Sequence, residues 1–243
     1  MAASLKFVLV IRLVNVTLAA NLILLANDVS LNPGPASVPS YKVKGLKIYH
    51  LNIHSLRKKM GELCLFCNEY KPHVLCLNET WLDENISDEE LRLTHYNIVR
   101  RDRDCFGGGV PVYIADHLKF NLINIENSSN IEALWFELKP PKEKKVLFGS
   151  VYRPPNSDAS VFSKEIESML TNYSTDDKET ILLGDFNFDI ALNLSGLQPR
   201  AKNFLRRTRV LHLTQIITQE LLNILELCLT FSSQQDPNFI ALV

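Results

Sequence analysis

The sequence predicts one large α/β domain behind a short apolar leader. Short apolar runs typical of strands alternate along the chain with stretches of helical apolar spacing, which is the pattern of an α/β fold. The 243 residues suffice for one such domain plus a leader. Hydrophobic residues make up 46% of the sequence, so the composition supports a sizeable core.

The first half of the domain contains four predicted strands, each a short run rich in apolar, β-branched or aromatic residues. They lie at Leu46–Leu51, Val74–Leu77, Tyr96–Arg100 and Val110–Ile114. Apolar spacing predicts a helix over Leu56–Tyr70, and a shorter helix is predicted over Asp88–Leu93. Gly107–Gly109 is interpreted as a flexible turn rather than a phosphate-binding loop, because no helix follows it. Pro111 lacks a backbone donor, which predicts an edge position or a local disruption of its strand.

The second half continues with strands of the same composition. They are predicted at Phe120–Ile125, Ile131–Leu138, Lys145–Tyr152, Thr180–Leu183 and Ile224–Phe231. Ala159–Tyr173 has one apolar side and is predicted to be an amphipathic helix. Arg200–Gln215 is predicted to be a basic helix, for which a solvated charged face and a DNA contact both remain open.

Charge and cysteine content limit the class of protein. The net charge is −1, so any contact with nucleic acid must come from a local basic patch. The five cysteines are an odd and scattered set, which argues for a reducing compartment rather than a disulfide framework. Cys64 and Cys67 form a C-x-x-C pattern within a predicted helix but have no second metal pair, which favours a core pair over a zinc or redox site.

The leader, residues 1–35, is apolar but is a poor membrane span. Arg12, Asn15 and Asn21 interrupt its apolar run, whereas a span needs about 20 mostly apolar residues. A signal peptide stays open, because Lys6 precedes an apolar stretch. Residues 36–43 have the composition of a linker, and the domain is assigned to residues 44–243.

The segment Ile181–Asp189 is the strongest candidate for a functional site. An apolar strand ends at Gly184, and Asp185 and Asn187 follow it. Positions two apart on an extended chain point the same way, so a carboxylate and an amide would face one site. The carboxylate could hold a metal ion or a water, and the amide suits a phosphate oxygen. A strand followed by an Asx turn is the alternative.

Three other predicted strands end in polar motifs. These are Leu51-Asn52-Ile53, Leu77-Asn78-Glu79-Thr80 and Val151-Tyr152-Arg153-Pro154-Pro155. Together with Gly184-Asp185-Phe186-Asn187, in this order, they resemble the endonuclease/exonuclease/phosphatase superfamily. The resemblance runs from about Lys44 to Leu229 and is strongest to the apurinic-type endonuclease domain of non-LTR (LINE-type) retrotransposons.

The resemblance implies a layered sandwich of two mostly antiparallel sheets with outer helices, and phosphodiester hydrolysis with Mg²⁺ or Mn²⁺. Glu79 would bind the metal with help from Asn52. Asp185 would orient or deprotonate the attacking water, and Asn187 would hold the scissile phosphate. Tyr152 would reach the phosphate or the leaving group. Arg153 would add positive charge as a substrate-binding residue.

The chain departs from the family pattern near its C-terminus. The family domain ends with Ser-Asp-His, which the 243 residues do not contain. The family also has an aspartate where Glu226 stands here, within the last predicted strand. We therefore expect a truncated domain without its final strand, and impaired activity.

The segment before the domain resembles a ribosome-skipping (2A-type) peptide, which some retrotransposons carry at this place. Its residues are Asp28, Asn32, Pro33, Gly34 and Pro35, and Ser30 replaces the usual glutamate. The resemblance implies that the ribosome fails to join Gly34 to Pro35. A linker rich in Pro and Gly is the alternative.

Three functions follow as hypotheses. The first is an endonuclease that nicks target DNA for retrotransposition. The second is an inactive remnant that at most binds nucleic acid, and the third is a phosphatase or phosphodiesterase acting on a small or lipid substrate. We expect DNA as partner, no stable protein partner, no membrane association and an intracellular location. The location is expected despite six glycosylation sequons, at Asn15, Asn78, Asn85, Asn127, Asn172 and Asn193.

Overall fold

The computed structural model describes residues 7–9, 46–124, 131–141, 144–175, 178–187, 199–210 and 213–215. The strands within these ranges are β1 (Phe7–Leu9), β2 (Ile48–Asn52), β3 (Val74–Asn78), β4 (Tyr96–Val99), β5 (Val112–Ala115), β6 (Lys119–Leu122), β7 (Glu132–Lys139), β8 (Lys145–Tyr152), β9 (Lys178–Asp185) and β10 (Leu213–Gln215). The α-helices are α1 (Met60–Tyr70), α2 (Ala159–Tyr173) and α3 (Pro199–Val210), and a 3₁₀ turn at Arg57–Lys59 leads into α1.

The strands form two sheets. The larger has the order β10-β1-β9-β8-β7-β6, and the smaller has the order β2-β3-β5-β4. Both sheets are mixed: β2–β3 and β8–β9 are parallel pairs, whereas β3–β5 and β7–β8 are antiparallel. The parallel pairs place two strands of each sheet with their carboxyl ends at the same edge.

The layers follow from the alternation of side chains along the strands. In β8, Val146 and Phe148 face the other sheet, whereas Leu147 and Val151 face the outer helices. Apolar side chains of both sheets meet in a central core. Phe162 of α2 lies in the outer core of the large sheet, while α1 covers the small one. The predicted sandwich with outer helices is therefore confirmed.

Helix α2 and strand β8 have the bounds that the sequence predicts. Asp158 caps α2 by accepting from the backbone N–H of Ser160 at 2.7 Å and of Val161 at 3.3 Å. Strand β8 pairs in parallel with β9, so that Tyr152 lies opposite Asp185 at the ends of the two strands.

Two predicted elements and the edge position considered for Pro111 differ from the structure. Asp88–Leu93 forms turns with bonds between residues three apart rather than a helix. The predicted helix Arg200–Gln215 ends at Val210, and Leu213–Gln215 is a strand. The edge position predicted for Pro111 is wrong: β5 lies between β3 and β4, and Pro111 precedes it, where its carbonyl accepts from the N–H of Leu77 at 2.9 Å.

The cysteine prediction holds in part, since Cys67 is buried and Cys64 is exposed. Phe7–Leu9, which the sequence interpretation assigns to a separate leader, forms a strand between β9 and β10. The ribosome-skipping motif and the predicted strand Ile224–Phe231 lie outside the described residues. Within the part of the chain that the structure describes, none of the helices has the length and apolar character needed to cross a membrane.

Candidate active site

Polar residues from the two sheets meet at the ends of their parallel strands. Asn52 and Asn78 end β2 and β3 and are register partners, as are Tyr152 and Asp185 at the ends of β8 and β9. Asn52 Nδ2 donates to Asp185 Oδ2 at 3.2 Å, which joins the small sheet to the large one. The strand ends predicted to carry the site therefore come together in the fold.

Asn78 is the buried centre of this junction. Its Oδ1 accepts from the backbone N–H of Asp185 at 3.0 Å and from His50 Nε2. Asn78 is fully buried and His50 is nearly so. Burial lowers the pKa of His50, although its hydrogen bond to Asn78 and the charge of Asp185 oppose the shift. Asn78 thus fixes the backbone at Asp185, so it sets where that carboxylate stands.

Glu79 leaves β3 in the left-handed region, with φ of 58°, which is unusual for a residue other than glycine. Its Oε1 accepts from the hydroxyl of Tyr152, and its Oε2 accepts from Trp81 Nε1 at 2.7 Å and from the N–H of Gly108 at 3.2 Å. Burial alone would raise the pKa of Glu79. The three hydrogen bonds and the charge of His54 outweigh burial and hold the pKa below its usual value, which favours the ionised form.

Tyr152 is the donor in its contact with Glu79. Burial, the hydrogen bond to Glu79 and the nearby charges of Glu79, Asp185 and Glu132 raise the pKa of the Tyr152 phenol. The hydroxyl therefore stays protonated around neutral pH. It can donate its one proton either to Glu79, as in this structure, or to a substrate oxygen.

Asn187 follows Asp185 in a tight turn with φ of 48°. Its N–H donates to Asp185 Oδ1 at 3.0 Å, so Asp185 holds one contact on each carboxylate oxygen. Asn187 Nδ2 donates to the carbonyl of Arg153 at 2.7 Å. Among the described residues, each oxygen of Asp185 keeps a lone pair and the amide of Asn187 keeps a second N–H, so both are able to bind a ligand.

Arg153 lies beside the site, and its guanidinium binds the backbone there. The residue is buried, and its guanidinium donates to the carbonyls of Phe186 and Asn187 at 2.6 Å each, and to that of Ser157 at 3.0 Å. These bonds bind the turn that carries Asn187 to the end of β8. The contacts give Arg153 a positioning role, and its contact with substrate stays a prediction.

The residues at this junction suit a hard divalent cation. Asn52 Oδ1 is buried and has no hydrogen-bond partner among the described residues, so this oxygen is available to bind a cation or a water. No cluster of three His, Cys, Asp or Glu side chains that could hold a metal ion occurs within the described ranges. Mg²⁺ instead binds through one or two carboxylates and completes its shell with water and substrate oxygens. Glu79 and Asn52 supply ligands of that kind.

Sequence reasoning did not assign roles to three groups that hold this site: the Asn78 amide, the Trp81 indole and the Gly108 backbone N–H. Asn78 and Trp81 flank Glu79 closely in sequence, and this proximity was the available signal. The contact of Gly108 depends on a turn that folds back from a distant segment, so local sequence carries no sign of it.

A comparison with known protein families identifies the family of this chain. The family described as "Endonuclease/Exonuclease/phosphatase family" matches residues 49–210, which is more than half of the sequence. The chain belongs to this family. The match includes all the candidate site residues, from Asn52 to Asn187. It does not include the leader or the predicted strand Ile224–Phe231.

Solved structures agree with the endonuclease/exonuclease/phosphatase fold. An AP endonuclease from Archaeoglobus fulgidus is 16% identical with a TM-score of 0.52, covering 69% of this chain and 71% of that one. The endonuclease domain of TRAS1, a telomere-specific non-LTR retrotransposon, is 12% identical with a TM-score of 0.53, covering 68% and 72%. At these identities the likeness establishes the fold alone. A comparison with curated proteins gave no match. Enzymes of the family generally depend on a divalent metal.

Proposed function

We propose that this chain carries a Mg²⁺-dependent DNA endonuclease domain that nicks target DNA for retrotransposition, with Mn²⁺ able to replace Mg²⁺. The observation that carries the proposal is the bond between Asn52 and Asp185, which links the two sheets where Tyr152 also contacts Glu79. The likeness to an endonuclease domain of a non-LTR retrotransposon, together with the motif order, supports the choice of DNA as substrate.

The residues would divide the chemistry of phosphodiester hydrolysis. Glu79 and Asn52 Oδ1 would hold the metal, which when bound offsets the charge that develops on the phosphate. Asp185 would orient the attacking water and take its proton, since the contacts from Asn52 and Asn187 hold both carboxylate oxygens in place. The second N–H of the Asn187 amide would donate to a phosphate oxygen, and the protonated phenol of Tyr152 would donate to the phosphate or the leaving oxygen.

We expect these 243 residues by themselves to nick slowly. The Ser-Asp-His that the resemblance leads us to expect is not among them. Its histidine would contact the scissile phosphate, and removing one such transition-state contact typically costs about 10²–10³-fold in rate. The polar strand ends described above would still assemble, so slow activity that depends on Glu79 is the expected outcome.

The proposal also keeps the predicted intracellular location and DNA as the partner. The four cysteines within the described ranges are free thiols, which agrees with a reducing compartment. Asn78 is fully buried, so the sequon at this position cannot carry a glycan while the domain is folded. A glycan on Asn78 in the purified protein would contradict both the site and the location.

Two parallel assays test the proposal. The first measures nicking of supercoiled plasmid with Mg²⁺, and the second measures phosphate release from small and lipid phosphates. We expect slow nicking that Glu79→Gln abolishes and that Glu90→Gln, at an exposed surface acid, leaves unchanged. Phosphate release that depends on Glu79 would instead establish a phosphatase. Loss of neither activity in Glu79→Gln would contradict the proposed site.

A further inference from the structure

The turn Gly107–Gly109 does more than connect two strands. The N–H of Gly108 donates to Glu79, and the N–H of Gly109 donates to Glu132 Oε2 at 2.7 Å. Two consecutive amides therefore each bind a carboxylate. One of these carboxylates is the candidate metal ligand, and the other begins strand β7.

Glu132 is in turn paired with Arg103. Arg103 Nη1 donates to Glu132 Oε1 at 2.8 Å, and Arg103 Nε donates to the carbonyl of Gly107 at 3.1 Å. The guanidinium lies 6.0 Å from the centre of the Tyr152 ring, and Tyr152 is the register partner of Glu132 across β7 and β8. The turn thus binds the Glu79 oxygen that Tyr152 does not, and Arg103 and Glu132 hold that turn.

The glycines leave little room for a side chain at this turn. A Cβ on Gly107 would lie 2.3 Å from Arg103 Nη2, and one on Gly108 would lie 2.4 Å from Glu132 Oε2. Gly108 and Gly109 also have φ of 69° and 90°, which residues with a side chain rarely adopt. The turn is built to let Arg103 and Glu132 approach the backbone closely.

Arg103 also balances the charge of Glu132. Glu132 is mostly buried near the charge of Glu79, and burial and that charge raise the pKa of Glu132, while Gly109 and Arg103 act against the rise. The ion pair with Arg103 keeps Glu132 on the N–H of Gly109, and Arg103 also binds the carbonyl of Gly107. The same turn is thereby held with the N–H of Gly108 on Glu79.

We propose that Arg103 and Glu132 are positioning residues that, through the Gly107–Gly109 turn, hold the Glu79 carboxylate in place for metal binding. The inference rests on the proposed function, since it takes Glu79 as the metal ligand. Partners that orient a metal ligand typically contribute about 10–100-fold to metal affinity. Neither residue needs to touch the metal or the DNA for this effect.

The test is the affinity of the whole chain for Mn²⁺. Binding is monitored by electron paramagnetic resonance, in which the signal of free Mn²⁺ decreases as the ion binds. We expect Arg103→Met to raise the Kd by about tenfold or more, and Arg103→Lys, which keeps the charge but not the bond to Gly107, to raise it less. Arg57→Met is the matched control, because it breaks an exposed ion pair of the same type with Glu90 at 2.9 Å and should leave the Kd unchanged. Glu132→Gln provides a second variant in case Arg103→Met does not fold, and it should weaken binding in the same direction.

Variants that carry Glu79→Gln distinguish a failure of this inference from a failure of the proposed function. In such variants, adding Arg103→Met should change the Kd no further, because the effect passes through Glu79. A merely structural role would lower the unfolding free energy of Arg103→Met without raising the Kd beyond that of Arg57→Met, and this result would overturn the inference. If Glu79→Gln binds Mn²⁺ as tightly as the wild type, the metal site of the proposed function fails instead.

Discussion

Gly184 allows β9 to approach β8 closely just before Asp185, and its replacement should be costly. Its φ is 148°, and a Cβ would lie 1.8 Å from the carbonyl oxygen of Val151, its register partner. Backbone atoms cannot rotate away as a side chain can. A disfavoured φ costs about 1–3 kcal/mol, and overpacking costs about 1–3 kcal/mol. We therefore expect Gly184→Ala to lower the free energy of unfolding by about 2–6 kcal/mol.

Another glycine of the chain provides a control, for which the expected change in the free energy of unfolding has the opposite sign. Gly61 lies in α1, where a Cβ would meet nothing within 4 Å beyond the backbone of its own helix, so Gly61→Ala should stabilise the protein by about 0.4–1 kcal/mol. The free energy of unfolding of both variants is measured by urea unfolding, monitored by tryptophan fluorescence. Gly184→Ala should unfold at a clearly lower urea concentration than the wild type. If it unfolds at the same concentration, or if Gly61→Ala loses as much stability, the argument from close approach is wrong.

Three other changes have definite expected outcomes. Arg153→Lys should lower the free energy of unfolding by about 1.5–3 kcal/mol in urea, because an ammonium cannot reach all the carbonyls that the guanidinium binds. Unchanged stability with weaker DNA binding would contradict the positioning role and support the substrate role. Asp158→Ala should lower the Tm at neutral pH. Because backbone hydrogen bonds from the start of α2 lower the pKa of Asp158, its contribution is present above the ordinary carboxyl pKa and disappears as the pH falls through the lowered value. A difference in Tm that persists in strong acid would contradict this. In vitro translation with a reporter on each side of Gly34–Pro35 should give two products, and a single full-length band would mean that the segment is a linker.

The elements that local sequence predicts well are those with local causes. Helix α2 has the predicted bounds because Asp158 caps it and its apolar residues recur at helical spacing. The helix predicted over Arg200–Gln215 extends too far because its C-terminal part pairs with β1, a segment some 200 residues away in sequence. The position of Pro111 follows from the order of strands in the sheet, which strand composition alone does not determine.

The candidate site also has some features that local sequence predicts and others that depend on distant contacts. The polar residues at the ends of apolar strands could be predicted from the sequence, and Asp185 and Asn52 meet as the resemblance implies. The contacts of Arg103 and Glu132 depend on strand register and on a turn with positive φ, neither of which the composition of that segment reveals. The backbone contacts of Arg153 also required the structure, because sequence does not show which groups a guanidinium at a strand end will bind.

The central claim is that the strand-end residues form a phosphodiester-hydrolysing site built on Glu79. The most direct test is the rate of Mg²⁺-dependent nicking by a chain extended after Val243 with a family-type strand and Ser-Asp-His. We predict that this chain nicks supercoiled plasmid about 10²–10³-fold faster than the 243 residues alone, and that Glu79→Gln in the extended chain abolishes nicking. Equal rates for the original and extended chains would contradict the expected impairment, and full activity of the extended Glu79→Gln variant would contradict the site itself.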